Sequence, residues 1–251
     1  MDVDHLFGEC DLMSLHDLNL TFFAFLSEIL GTISGFGSST FFVPVALFFE
    51  SLHLVLAITA VLHCFSNFSK IALFRSHFSW KLFWKLAVPS ILLTGIGAMM
   101  TSWFSVEHLI HALGIFLIFI SLLFFISKKY IQYMPHNVSL FLSGLSGFLT
   151  GLFGTGGALR GLALSAMALE KNQFIVVSSA IDVGGDLLRA GIYIYNGYMD
   201  WSHWFYIPLL ASAAFLGAWT GKRILQYIDQ KLFEKIDIIT VFISGITLLF
   251  R

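Results

Sequence analysis

Gly151-Leu152-Phe153-Gly154-Thr155-Gly156-Gly157 breaks an otherwise apolar stretch, residues 138–169, near its middle. A second break, Gly35-Phe36-Gly37-Ser38-Ser39-Thr40, interrupts the apolar stretch 19–49 in the same way. Clustered glycine weakens a helix interior. Each break leaves about 13–17 residues on either side, short for a perpendicular crossing of a hydrocarbon core of about 30 Å. Each stretch therefore reads as two short helices meeting at a glycine turn, or as one long broken helix. Around them, apolar segments recur at 53–74, 83–103, 108–127, 174–195, 203–221 and 233–250. At 1.5 Å per residue each is long enough to cross.

Composition points the same way. Of 251 residues 57% are hydrophobic and 12% charged, against about 25% charged in soluble domains, and the mean hydropathy is +0.85. A water-soluble chain of this length cannot hide so much apolar surface in one core, so the solvent for most of it is lipid. Trp80, Trp84, Trp103, Trp201 and Trp204 fall near segment ends, where interfacial anchoring accounts for them. The net charge of −1, with no basic run longer than Lys128-Lys129, gives no footing for nucleic acid. Cys10 and Cys64 fit no metal-ligand spacing. Glu107, His108 and His111 have a spacing that suits a metal, but at a loop they read as a solvated helix start. No cofactor and no metal are expected. The first 17 residues carry Asp2, Asp4, Glu9, Asp11 and Asp17 without Lys or Arg, unlike a secretory signal.

The two halves look like copies. Sliding the sequence by 119 residues sets Gly35 on Gly154, His63 on Asp182, Asn67 on Asp186, Lys70 on Arg189 and Pro89 on Pro208. The shared order is glycine break, polar helix, aromatic loop and proline-bearing helix, the mark of an internal duplication. Loop charge then gives orientation. Lys and Arg cluster at Arg75, Lys81 and Lys85, at Lys128-Lys129, and at Lys222, Arg223 and Lys231, whereas the turns near 104–107 and 196–202 have none. Cytoplasmic loops carry the basic excess, which puts the three clusters inside and the N-terminus outside. Crossings then balance only if each broken stretch enters and leaves on one side, as a hairpin. The expected fold is an all-α polytopic membrane protein of two inverted-topology repeats, each a glycine-broken helical hairpin plus three transmembrane helices. Residues 1–18 form an acidic extracytoplasmic N-terminus. Repeat 1 covers 19–127, a cytoplasmic linker 128–137 and repeat 2 138–250.

Irregular backbone survives in a bilayer only beside protein or a water-filled cavity. Two breaks at matching positions of inverted halves expose free N–H groups and positive helix ends that suit an anion; alternatively, the glycines only allow close helix packing. Gly35, Gly37, Ser38, Ser39, Gly154, Thr155, Gly156 and Gly157 are the candidate backbone and hydroxyl contacts, with Ser178 a further donor. Arg160, three residues past Gly157 in uncharged sequence, is the foremost side chain. An intramembrane arginine costs at least about 2.5–3.5 kcal/mol, so it binds a ligand or pairs with Asp182 or Asp186. Asp182, Asp186 and Arg189 lie at i, i+4 and i+7 on one helix face, and His63, Asn67 and Lys70 form the matching stripe. These suit proton coupling, with Asp182 or Asp186 as carrier, or an internal network. Glu28, isolated among apolar residues, is either a partner for Lys70 or a second proton carrier.

The twin signatures, Gly35-Phe36-Gly37-Ser38-Ser39 before Phe42-Val43-Pro44 and Gly151 to Gly157, resemble those of the TauE/SafE sulfite-exporter family of permeases. Arg160-Gly161, Ser178-Ser179-Ala180-Ile181-Asp182, Asp186, Arg189, Tyr193 and Gly197 are similar to a subgroup pattern in it. The resemblance covers roughly 19–250, and the first signature departs by carrying serines where the family has glycines. It implies two four-segment repeats and transport of sulfite, organosulfonates or related small anions across a bacterial inner membrane. The expected partners are a small anionic substrate and membrane lipids, and a homo-oligomer is compatible. No Walker, H-E-x-x-H or G-x-S-x-G pattern is present, so a secondary transporter rather than an enzyme is expected. A cation or metal carrier and an intramembrane enzyme are the alternatives.

Overall fold

Each glycine break ends one long helix and starts another too short to cross a bilayer. The computed structural model describes residues 15–34, 37–127, 135–165, 167, 169–227 and 230–250. Gly35, Phe36, residues 1–14 and Lys128-Lys129 lie outside the described residues. Helix α1 (Leu15–Ser34) has 20 residues and α2 (Ser39–Ala46) only 8; α6 (His136–Phe153) has 18 and α7 (Gly157–Ser165) only 9. At 1.5 Å per residue α2 and α7 rise about 12 and 14 Å, under half the hydrocarbon core. The arms are thus unequal, where the sequence suggested arms of similar length. In the first hairpin the reason is that the apolar run outlasts the helix: after Ala46 the chain turns through Leu47-Phe48-Phe49. Gly154, at φ +75°, is the left-handed cap of α6, its N–H donating to the Thr150 carbonyl, and Gly37 stands at φ 93°. The first hairpin is closed at its mouth by the His16 ring, whose Nε2 lies 3.0 Å from the Phe49 carbonyl oxygen.

Around the hairpins stand α3 (Leu52–Phe74), α4 (Trp80–Met100), α5 (Val106–Ser127), α8 (Lys171–Tyr195), α9 (Tyr206–Leu225) and α10 (Gln230–Leu249). All elements among the described residues are helical. Helix α3 packs on α8 and α5 on α10; α4 packs on α6 and α8, and α9 on α1 and α3. Exchanging α1–α5 with α6–α10 leaves these six pairings unchanged. The α3–α8 pair runs antiparallel: the His53 ring at the start of α3 lies tilted, 4.2 Å between centroids, against Tyr198 beyond the end of α8, while Phe74 shares a core cluster with Ile175 and Val176 at the other end. By contrast α4 runs parallel to α6, with Ser90 against Gly147 and Thr94 against Gly151. Helix α9 runs parallel to α1, with Gly217 against Glu28 and Gly221 against Thr32.

Leu52–His77, Trp80–Trp103, Val106–Leu123 and Trp201–Leu225 are long and apolar enough to cross a membrane. Helix α8, 25 residues, has the length but turns a charged face inward. Trp80, Trp84, Trp103, Trp201 and Trp204 are exposed at helix ends, as interfacial anchors are. Charge sorts by end. Arg75 and the start of α4, with Lys81 and Lys85, share one end with Lys222, whose Nζ donates to the Leu73 carbonyl at 2.8 Å. Asp17 and Glu50 meet the Tyr206 hydroxyl at the other end, at 2.6 and 3.4 Å.

Candidate functional site

The two breaks meet. A Cβ built on Gly37 would lie 3.7 Å from the Gly157 Cα, and the Thr40 and Thr155 hydroxyls are 3.4 Å apart. Ser38, Ser39 and Thr155 are all buried at this junction. A side chain on Gly156 would collide with the Ser146 carbonyl and the Thr150 hydroxyl, so this turn admits only glycine. Gly154 is constrained twice, by its left-handed φ and by Leu56 Cδ2, 2.8 Å from an added Cβ. Gly154→Ala is expected to cost about 1–2 kcal/mol from the backbone alone, read as a lowered Tm in detergent.

Three ion pairs surround the junction. Lys70 Nζ lies 3.2 Å from Glu28 Oε2, and Arg189 Nε donates to Asp186 Oδ1 at 2.9 Å. The Arg160 NH1 group contacts Asp182 Oδ1. Arg160, Arg189, Glu28, Asp186 and Lys70 are buried, and Asp182, with 17% of its side chain accessible, is the most open of the six. Charges so buried persist only when paired. Arg160 NH2 also donates to Ser90 Oγ on α4 and to Ser146 Oγ on α6, both at 3.3 Å, and Ser146 donates to the Gly156 carbonyl at 2.7 Å. This guanidinium is therefore tied to the second break and does not face lipid. Among the described residues its Nε and NH1 make no hydrogen bond, NH1 meeting Asp182 only as an ion pair, and Arg189 NH2 makes none either.

Arg189 NH1 donates to the Gly154 carbonyl at 3.4 Å, and the Tyr193 hydroxyl donates to the Gly151 carbonyl. Helix α8 thus holds the second break from behind. Asn67 Nδ2 donates to Asp186 Oδ2 at 2.8 Å, joining the matching stripes of α3 and α8. In the first half, Ser38 donates to Glu28 Oε1 at 2.5 Å and lies 2.9 Å from His63 Nε2, while Ser66 donates to Glu28 Oε2. Ser178 is buried one turn before Asp182 on α8. The Glu107, His108 and His111 group lies apart at the start of α5: the rings of His108 and His111 bond Ser105 Oγ and the Glu107 carbonyl.

Sequence reasoning missed Ser66, Ser90, Ser146 and Thr40. One signal was legible: Ser139, Ser143, Ser146 and Thr150 recur at helical spacing along α6, and all four are buried. The other serines stand singly in apolar helices, where bonding to the helix's own backbone is the common outcome.

Helices long and apolar enough to span a bilayer, with broken segments meeting among buried charges, define an integral membrane protein built as transporters are. The family model described as sulfite exporter TauE/SafE matches residues 20–248, and the chain belongs to that family. No similar curated protein and no similar solved structure was found.

Proposed function

We propose that the protein is a secondary transporter of a small anion, sulfite or an organosulfonate, working by alternating access of two inverted repeats. Inversion is supported by the helix pairings. Asn67 and Asp186, equivalent under the 119-residue shift, bond each other across antiparallel helices. A two-fold axis relating antiparallel helices lies across them, hence in the membrane plane. Gly114 and Gly245, 131 residues apart and so outside the 119-residue register, still meet reciprocally between α5 and α10: a Cβ on either would lie 2.9 Å from the other's carbonyl oxygen. With the basic end inside, both hairpins are re-entrant from opposite faces, the N-terminus is extracytoplasmic, and a bacterial inner membrane is the natural setting.

The anion reading rests on one observation above the others: Arg160, buried beside the junction, keeps an Nε–H that no group among the described residues accepts. A guanidinium offers a planar fork of donors matched to a sulfonate or sulfite oxygen pair. Asp182 occupies part of that fork and is the most accessible of the paired acids, so it is the group a substrate anion displaces. Arg189 NH2 and the glycine-break N–H groups supply further donors. A cation carrier fits less well, since each buried carboxylate here already has its own cation.

Flux into proteoliposomes of sulfite, sulfoacetate, chloride and divalent metal ions, compared side by side, tests this. Saturable sulfite or sulfoacetate uptake, competed poorly by chloride, is the expected result. Metal uptake without oxyanion uptake would overturn the assignment.

A further inference from the structure

Because the three buried ion pairs are each neutral, an anion that enters the centre brings an unbalanced charge, and a proton is the simplest compensation. The chemistry of the three carboxylates differs in whether a proton can be accommodated. Asp186 is held by Arg189 Nε and Asn67 Nδ2, and Asp182 by Arg160 NH1. Both Asp186 oxygens face donors, so a carboxyl O–H there would face N–H groups, whereas Asp182 meets the guanidinium at Oδ1 and has no hydroxyl partner among the described residues. Glu28 is different. Its Oε1 faces the Ser38 hydroxyl at 2.5 Å, and a hydroxyl both donates and accepts. Beyond it, Ser38 Oγ lies 2.9 Å from His63 Nε2.

We propose that His63, Ser38 and Glu28 form a proton relay through the tip of the first re-entrant hairpin, with Glu28 as the carboxylate that takes up the coupling proton. The inference rests on the anion-transporter reading for its purpose, but not for its chemistry. With Glu28 ionised, Ser38 donates to Oε1 and His63 Nε2–H donates to Ser38. A proton arriving on His63 gives an imidazolium. Its Nε2–H bond breaks as a new Ser38 O–H forms, and the original Ser38 proton passes to Glu28 Oε1. The products are a neutral imidazole that keeps its Nδ1 proton and a neutral carboxyl group. Both end states are fully hydrogen-bonded along the chain, and no atom moves further than a hydroxyl rotation.

The surroundings suit this step. On α3, Ser66 and Lys70 occupy the other Glu28 oxygen, which leaves Oε1 for the proton. Helix α9 presents Gly217 and Gly221 to this face of α1. Arg189 on α8 and Arg160 on α7 are the further charges whose fields reach His63, and each is paired with its own aspartate. One added proton therefore gives the centre a net positive charge that one substrate anion cancels. Ser38 also adjoins Gly37, which touches Gly157 of the opposite tip. An anion lodging between the tips shifts Ser38 and so makes or breaks the relay.

Infrared difference spectra of the purified protein in lipid, acid minus alkaline, read the carboxyl directly. The C=O band of a protonated buried carboxyl is expected in the wild type, lost in Glu28→Gln, displaced in Ser38→Ala and restored in Ser38→Thr. A band that persists in Glu28→Gln, or disappears in Asp182→Asn while remaining insensitive to Ser38, overturns the relay. In vesicles, sulfoacetate accumulation driven by an inward proton gradient, taken relative to exchange at equal pH in the same preparation, is expected to fall by about a hundredfold in Ser38→Ala, the scale of a positioned proton-transfer group. Wild-type vesicles that exchange no anion, with the band still lost in Glu28→Gln, would defeat the transporter reading and leave the relay standing.

Discussion

Arg160→Ala is expected to abolish anion flux and to lower the folded yield, whereas Arg160→Ala combined with Asp182→Ala restores the yield and not the flux. The single substitution leaves the Asp182 carboxylate without its cation inside the bundle, a change worth about 3–5 kcal/mol for a buried pair. It also deprives Ser90 and Ser146 of a shared donor, although Ser146 keeps its own bond to the Gly156 carbonyl. Removing both charges eliminates the stranded carboxylate, and apolar replacement of a buried pair is often neutral or better. What the double variant cannot restore is the fork of donors at the second break. Arg160→Lys sharpens the test, since a lysine keeps a charge opposite Asp182 but lacks the planar fork. Size-exclusion profiles in detergent report the fold, and proteoliposome uptake of sulfite reports function. A double variant that transports at the wild-type rate would reduce Arg160 to a structural ion pair.

Much of this centre is legible in the sequence. The stripe Asp182, Asp186, Arg189 and its counterpart His63, Asn67, Lys70 follow from helical spacing, and their registration across the halves follows from the 119-residue shift. The Asp186–Arg189 pair is local, at i and i+3. The Arg160–Asp182 and Glu28–Lys70 pairs join different helices, and spacing along the chain cannot choose among partners brought together only by packing. Both were open alternatives in the sequence for that reason. Arm lengths were not legible either, because apolar character marks what lipid or protein covers, not where hydrogen bonding stops being helical. Leu47 and Phe49 are covered yet lie in turns.

The serines of the first break are the most informative departure from symmetry. Ser38 stands where the shift places Gly157 in the second half. A glycine there can only let backbones approach, as Gly157 does against Gly37. The serine adds a hydroxyl between Glu28 and His63. Under the proposed function the halves divide the chemistry: the second break carries the arginine proposed to take the anion, the first the hydroxyl proposed to relay the proton.

The tightest mechanical constraint lies where α4 and α6 touch, and Gly147→Ala is expected to destabilise the protein while Gly191→Ala does not. Lipid offers no hydrophobic drive for helices to associate, so close backbone approach through small residues carries the packing. A Cβ on Gly147 would overlap the Ser90 carbonyl, one on Gly151 the Thr94 carbonyl, and one on Gly97 the Phe148 carbonyl. These neighbours are backbone, which cannot rotate aside, so the helices must separate. Overpacking of this kind costs about 1–3 kcal/mol, and the damage extends to the site. Ser90 on α4 and Ser146 on α6 bind the same Arg160 nitrogen at 3.3 Å each, so parting the helices pulls that clasp open. Gly191 has nothing within 4 Å of an added Cβ, and alanine is the better helix former by up to about 1 kcal/mol. Thermal melts in detergent, with sulfite flux measured on the same preparations, should give a lowered Tm and lost flux for Gly147→Ala and an unchanged or raised Tm with intact flux for Gly191→Ala. Equal melting of Gly147→Ala and wild type would mean that α4 and α6 have room to part, and that the Arg160 clasp does not depend on their contact.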